Sequence, residues 1–230
     1  EGLLAYRRVV RRADEMAALA RREQPDLAIL IDSWGFTLRV AQRLKAQSPD
    51  LPVVKYVAPQ VWASRPGRAA VLAKTVDHLL SIHTFDAPFF EKVGLPTTFV
   101  GNSTLSLDLN DADPMALRRR LAISPEAPVL IVLPGSRRSE IERVMPPFED
   151  AVALLKAARP DLQVIVPAAS TVADIVKARV AGWPYRAHVV EGEADRHSAM
   201  KAATVALACS GTVTTELALA GAPMVVGYRL

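Results

Sequence analysis

The stretch VLPGSRRSEIE, Val132–Glu142, decides how the rest of the chain is read. An apolar, β-branched run ends in Pro-Gly-Ser, and a helical pattern follows. A strand that turns tightly into a helix is half of a β-α-β unit. The start of such a helix leaves backbone N–H groups without partners. Gly135 lets the backbone approach a ligand closely, Ser136 adds a hydroxyl, and Arg137 can clamp phosphate oxygens in two places. The turn therefore reads as an anion site, with phosphate the best fit. The alternative is an ordinary strand-to-helix turn with surface arginines.

The same alternation extends outward in both directions. Strand-like runs fall at 27–31, 52–57, 78–82, 98–100, 128–133, 162–166, 187–190, 204–208 and 223–227. Helical patterns lie between them at 36–46, 68–76, 86–92, 114–121, 139–158, 171–180, 195–202 and 212–220. The run LAILI (27–31) is short, apolar and unalternated, so it reads as a fully buried strand. This order predicts an α/β fold with parallel sheets covered by helices on both faces. The polar stretch NSTLSLDLNDADP, Asn102–Pro114, interrupts it. It predicts a linker at 104–113 between two Rossmann-like domains, 1–103 and 114–230, facing a cleft. Ligands in such sheets sit beyond the C-terminal strand ends, where the candidate turns fall.

Composition narrows the function. Half of the 230 residues are hydrophobic, and the net charge is +4. No Lys/Arg block reads as a nucleic-acid arm. Arginine pairs at 7–8, 11–12 and 21–22 recur along a helix-like segment, 1–23. They fit a solvated face or an anionic membrane surface. Cys209 is the single cysteine, which excludes an intrachain disulfide and a cysteine-based metal site, and points to a reducing, cytoplasmic compartment. The four histidines, His78, His83, His188 and His197, have no metal-ligand spacing, so no metal is expected. No apolar run reaches the roughly 18 residues of a membrane span, and no signal peptide is seen. The chain starts at Glu1 inside a helical pattern and stops at Leu230 just after a strand, which reads as a fragment.

Three further stretches carry candidate chemistry. ACSGTVTTE, Ala208–Glu216, places small and hydroxyl residues at a helix start. Amides from Gly211 and Thr212 through Thr214 and Thr215 can face a diphosphate, and Glu216 can accept from ribose hydroxyls. A plain N-cap with a capping acid explains it equally well. IDSWGF, Ile31–Phe36, sets Asp32 at the end of a strand, where it can act as a general base or as a helix cap. KYVAPQVWASRPGR, Lys55–Arg68, offers Arg65 and Arg68 to phosphate and Trp62 to an acyl chain or sugar, unless Trp62 is core. Ser136 and Ser210 have no evident histidine partner, and neither G-x-S-x-G nor G-x-x-x-x-G-K-[ST] occurs.

Taken in order, these stretches resemble the lipid-A-disaccharide synthase family. The matching segments are IDS (31–33), YVAP (56–59), VWA (61–63), RPGR (65–68), FVG (99–101), LPGSR (133–137) with Glu140, SGT (210–212) and PMVVGYR (223–229). The resemblance implies a glycosyltransferase of the B-type fold, truncated at both ends. It implies transfer of 2,3-diacylglucosamine from its UDP donor to 2,3-diacylglucosamine 1-phosphate, with inversion and no cofactor. Asp32 matches the family's essential aspartate and Arg137 its essential arginine, and the resemblance extends the diphosphate site to Ser210. The substrates carry acyl chains, which implies a peripheral place on the inner face of the cytoplasmic membrane in a Gram-negative bacterium. The chain departs from the family pattern at Trp34 and Gly35, which replace a Pro and a second Asp, at Lys55 for a His, and at Ser64 and Asn102. The rival readings are another B-fold UDP-sugar enzyme and a non-catalytic UDP-binding relative. The chain alone is expected to be inactive.

Overall fold

The computed structural model describes residues 2–229; Glu1 and Leu230 lie outside the described residues. The chain divides into two compact units, Glu1–Ser103 and Thr104–Leu230. The first unit runs α1 (Gly2–Glu23), β1 (Ala28–Ile31), α2 (Trp34–Gln47), β2 (Val53–Tyr56), α3 (Arg68–Ala73), β3 (His78–Ser81), α4 (Ala87–Glu91) and β4 (Thr97–Phe99). Its strands form one parallel sheet in chain order, β1-β2-β3-β4.

The core of this unit lies on one face of that sheet. Val53 and Leu79 meet Val40, Ala41 and Leu44 of α2, with Ala13 of α1, Leu72 and Phe90. Helix α1 presents its small side to α2, and the Gln47 amide donates to the Ala17 carbonyl at 2.8 Å. The expectation of a fully buried first strand is corrected here. β1 is an edge strand, and its alternate residues Ile29 and Ile31 are 53% and 63% exposed. The reason is topological: α1 and α2 cover one face of β1, and no described element covers the other. The expected second layer of helices is therefore not found on this sheet among the described residues. His78, at the start of β3, is tied to Thr98 of β4 by a 2.9 Å hydrogen bond, which gives it a structural role.

The second unit runs α5 (Pro114–Arg120), β5 (Val129–Leu133), α6 (Arg138–Ala158), β6 (Gln163–Ala168), α7 (Ala173–Ala181), β7 (His188–Glu191), α8 (Glu193–Ala202), β8 (Val205–Cys209), α9 (Val213–Leu219) and β9 (Met224–Gly227). Its parallel sheet has the order β7-β6-β5-β8-β9, so β5 is central and all five of its residues are buried. This sheet has a core on each face. Leu130 and Val132 point into one, with Ile141, Met145 and Phe148 of α6. Val129, Ile131 and Leu133 point into the other, with Met200 of α8 and Leu217 of α9. That double covering explains why β5 reads as an unbroken apolar run.

Two local features matter for the site. Helix α6 continues through Pro146 and Pro147. Each proline removes a bond to the carbonyl four residues back. Those carbonyls belong to Glu142 and Arg143, both exposed, so water can satisfy them. The segment 104–113, expected as a linker, is bound to the second unit. Leu109 is buried and its carbonyl accepts from Lys201 Nζ at 2.7 Å, while the Asp113 amide donates to Ser198 Oγ at 3.1 Å. Asp113 also caps α5 through the Ala116 amide at 2.8 Å.

Leu130 and Leu154 test this assignment of the core. Leu130→Ala is expected to cost about 2–5 kcal/mol in denaturant unfolding. Leu154 is 74% exposed on α6, and Leu154→Ala should change stability by less than about 0.5 kcal/mol.

Candidate functional site

The chain passes from β5 to β6 to β7 in one direction, then returns to place β8 on the other side of β5. The switch point therefore lies between β5 and β8. The two turns singled out in the sequence are those that follow β5 and β8. They wall one pocket of about 520 Å³, completed by Pro167–Ser170 at the end of β6 and just beyond it, and by Gly192, Glu193 and Arg196 after β7. Gly135, Ser136, Arg137, Ser210, Gly211, Thr212 and Glu216 all line it. Thr214 and Thr215 do not. Their amides donate within the turn, to Gly211 and Thr212 carbonyls at 3.1 and 3.0 Å, and the Thr214 hydroxyl donates to the Gly211 carbonyl at 2.8 Å. The amides left to face a ligand in this turn are those of Gly211, Thr212 and Val213.

The turn after β5 differs from a bare anion site in one respect. The carboxylate of Glu140, in the first turn of α6, accepts from the amides of Ser136 (2.8 Å) and Arg137 (3.2 Å). Its other oxygen accepts from Arg137 Nη1 at 2.5 Å. Gly135 sits at φ 117°, and a Cβ there would lie 2.6 Å from a Glu140 oxygen and 2.7 Å from its Cβ. Glycine at 135 thus makes room for an internal carboxylate, where the sequence reading had it make room for a ligand. Burial opposes the charge on Glu140, yet the two amides and the guanidinium outweigh it and hold the carboxyl below its ordinary range. Arg137 remains three-quarters exposed. A guanidinium has five N–H donors, so several stay available to a phosphate. Thr171 Oγ1 donates to the Ser136 carbonyl at 2.8 Å and ties this turn to the segment after β6.

Glu216 is largely buried at the pocket wall, and Arg196 Nη2 lies 3.4 Å from its Oε2. Among the described residues, Glu216 Oε2 and Arg196 Nε are buried without a hydrogen-bond partner. Both are unsatisfied groups beside an open pocket, which is where a hydroxyl-bearing ligand finds partners. Sequence reading missed Arg196. It lies in a helix with no motif around it, and only the strand order brings it to Glu216.

The remaining candidates belong to the first unit. Asp32 follows β1 and is exposed, in a turn where it and Ser33 both take left-handed backbone, φ 45° and 42°. Such a conformation costs a non-glycine residue on the order of 1–3 kcal/mol. Below the turn lies Lys55, 3% exposed, which donates to the Asp32 carbonyl and, at 2.9 Å, to Thr37 Oγ1. Loss of solvent lowers the Lys55 pKa, the Asp32 charge raises it in part, and the result is about 8. Trp62 is 45% exposed, so it is not core; it meets Phe85 edge-on at 5.4 Å. Arg65 takes φ 53° in the same loop, and Arg68 stacks over the Trp34 ring at 5.1 Å, which joins this loop to the Asp32 turn.

A parallel α/β unit with polar turns on both sides of its switch point is the Rossmann-like class, built to hold ligands beyond the strand ends. The solved structures share that architecture. A Staphylococcus aureus MnaA–UDP co-structure superposes with a TM-score of 0.68 at 16% identity, over 96% of this chain and 63% of that one. A Neisseria meningitidis UDP-GlcNAc 2-epimerase bound to UDP-GlcNAc gives 0.63 at 13%, over 93% and 62%. At such identity the likeness shows the fold, that of the B-type UDP-sugar enzymes. The model of the lipid-A-disaccharide synthetase family matches residues 1–230. The lipid-A-disaccharide synthase of Rhodospirillum centenum is 45% identical over 96% of this chain and 55% of its own length. That of Ruegeria pomeroyi is 44% identical over 100% and 59%. The chain belongs to the lipid-A-disaccharide synthase family, and it spans a little over half the length of these relatives.

Two measurements test the site's internal supports. Gly135→Ala is expected to destabilise the second unit by about 2–4 kcal/mol in urea unfolding, through strain and the collision with Glu140. Lys55 gives a pH signature. Its folded pKa of about 8 lies below the ordinary 10.5. Between those values the unfolded chain holds the extra proton, so stability rises with pH across that window. The cost of burying the charge is fully present below about pH 8. Relative to Lys55→Met, the wild-type unfolding free energy should gain about 3 kcal/mol from pH 8 to 10.5.

Proposed function

We propose that this chain supplies the nucleotide-sugar and acceptor sites of a lipid-A-disaccharide synthase. In that reaction 2,3-diacylglucosamine passes from UDP-2,3-diacylglucosamine to 2,3-diacylglucosamine 1-phosphate, giving UDP and a tetraacyl disaccharide 1-phosphate with inversion. The observation that carries this reading is the single pocket walled by both anion-ready turns and by Glu216, in a chain that belongs to this family.

The donor's UDP occupies that pocket. Glu216 accepts from the ribose hydroxyls, with Arg196 beside it fixing the carboxylate. The diphosphate lies against Ser210, Gly211, Thr212 and the Val213 amide, and it falls to these because the Thr214 and Thr215 amides and the Thr214 hydroxyl donate within the turn. Asp32 takes the proton from the acceptor 6-hydroxyl as that oxygen attacks the anomeric carbon. The bond from that carbon to the diphosphate oxygen breaks, and the free N–H groups of Arg137 meet the negative charge that develops on UDP. Trp62 and its loop, with Arg65 and Arg68, serve the acceptor's acyl and phosphate groups. No metal or other cofactor is assigned a step. Among the described residues no helix is long and apolar enough to cross a membrane. The exposed arginines of α1 (Arg7, Arg8, Arg11, Arg12) and the acylated substrates support a peripheral position on the inner face of the cytoplasmic membrane.

Calorimetry of the chain with UDP, and disaccharide formation followed by mass spectrometry, test the two halves separately. For transfer, residues 1–230 replace the matched segment of the Rhodospirillum centenum synthase. Arg137→Ala should weaken UDP binding by about tenfold, the loss of one charge-assisted contact. Asp32→Ala should leave UDP affinity unchanged and slow transfer by about 10²–10⁴-fold. Transfer that survives Asp32→Ala removes the base assignment; UDP affinity indifferent to both Arg137→Ala and Glu216→Ala removes the cradle.

A further inference from the structure

The turn that carries Asp32 has a backbone shape that glycine would ordinarily supply. Two consecutive non-glycine residues, Asp32 and Ser33, are left-handed. Neighbouring groups must over-determine such a turn for it to persist. The Ser33 carbonyl is held in the usual way, by the amides of Phe36 and Thr37 at 3.0 Å each as α2 begins. The Asp32 carbonyl is not. Among the described residues no backbone N–H donates to it, and its partners are two side chains.

Those side chains form one small network. The Lys55 ammonium donates to the Asp32 carbonyl and to Thr37 Oγ1. The Thr37 hydroxyl lies 2.7 Å from the Asp32 carbonyl and 3.1 Å from that of Ser33. It has one proton to give and a lone pair to receive Lys55, so both groups converge on the Asp32 carbonyl. Lys55 and Thr37 are buried, while Asp32 is exposed. A lysine is rarely buried unless its ammonium is paired, and both hydrogen-bond partners of Lys55 belong to this turn. Asp32's own carboxylate is also the charge that acts on Lys55.

We propose that Lys55 is a positioning residue for the transfer reaction: directly and through Thr37 it holds the Asp32 carbonyl, and so keeps the left-handed turn that presents the Asp32 carboxylate. This rests on the assignment of Asp32 as the base. Lys55 is buried and its hydrogen bonds go to Asp32 and Thr37, so its effect is expected on turnover, with nucleotide binding by the other unit spared.

Hydrogen–deuterium exchange on the chain itself reads the turn without reference to activity. In Lys55→Met the amides of 32–37 should exchange about tenfold faster, with peptides of Thr104–Leu230 unchanged. In the hybrid synthase, Lys55→Met and Thr37→Val should each lower kcat by about tenfold or more, with the KM for the UDP donor within about twofold. Thr37→Ser keeps the hydroxyl and should restore kcat to within about threefold of wild type, which a pure packing role would not do. Unchanged exchange at 32–37, or kcat within about twofold of wild type in both Lys55→Met and Thr37→Val, overturns the inference. If Lys55→Met does not fold, the Thr37→Val and Thr37→Ser pair decides it. If the wild-type hybrid makes no disaccharide, the proposed function fails, and the exchange comparison alone decides the role of Lys55.

Discussion

The second unit's site depends on one carboxylate. Glu140 reaches back from the first turn of α6 to the amides of Ser136 and Arg137 and to the Arg137 guanidinium. Without it, the turn after β5 would expose donors with no partner, and nothing would fix the direction of Arg137. With it, the turn has one shape before any ligand arrives. Gly135 follows from this as a steric necessity, because no side chain fits between that backbone and Glu140. Preorganisation of this kind favours binding, since the ordering of the loop is already complete when the ligand docks.

The clamp also limits what the turn can do. Two amides that a bare helix start would offer to phosphate are already engaged. A phosphate in this pocket would then have the outer edge of Arg137 for positive charge and the amides of Gly211–Val213 for backbone donors. The neutralising carboxylate sits inside and the cation faces out. On the proposed reading the two turns divide the work, one giving charge and the other backbone donors, and the switch point between β5 and β8 brings both to one pocket.

The fold was largely legible because apolar runs and turn residues report local structure directly. Strand β5, buried on both faces, and the Pro-Gly-Ser turn after it are examples. The misreadings arose where an outcome depends on order in the sheet. LAILI looks like a buried strand, yet β1 lies at an edge and Ile29 and Ile31 are open. Arg196 carries no motif and becomes visible only when β7 is placed two strands from β5. Glu140 was different, since its signal was present: an acid three residues after Arg137 has the spacing of a capping box. Lys55 likewise has a signal that was not used, a lone charge inside the apolar run PVVKYV, although its partner Thr37 could not be read from spacing. Thr214 and Thr215 were over-read, because hydroxyl residues at a helix start serve the turn as readily as a ligand.

The two candidate turns follow the same rule with opposite signs. After β5, an internal anion, Glu140, holds backbone N–H groups and leaves an exposed cation, Arg137. After β1, an internal cation, Lys55, holds a backbone carbonyl and leaves an exposed anion, Asp32. In each case the supporting group is the less exposed of the pair, and the presented group carries the opposite charge. An inverting transfer needs a base at the acceptor and positive charge at the leaving group. A parallel strand end followed by a tight turn can present either one. The sign is set by which charge is placed beneath the turn, and that choice rests on a single residue in each unit.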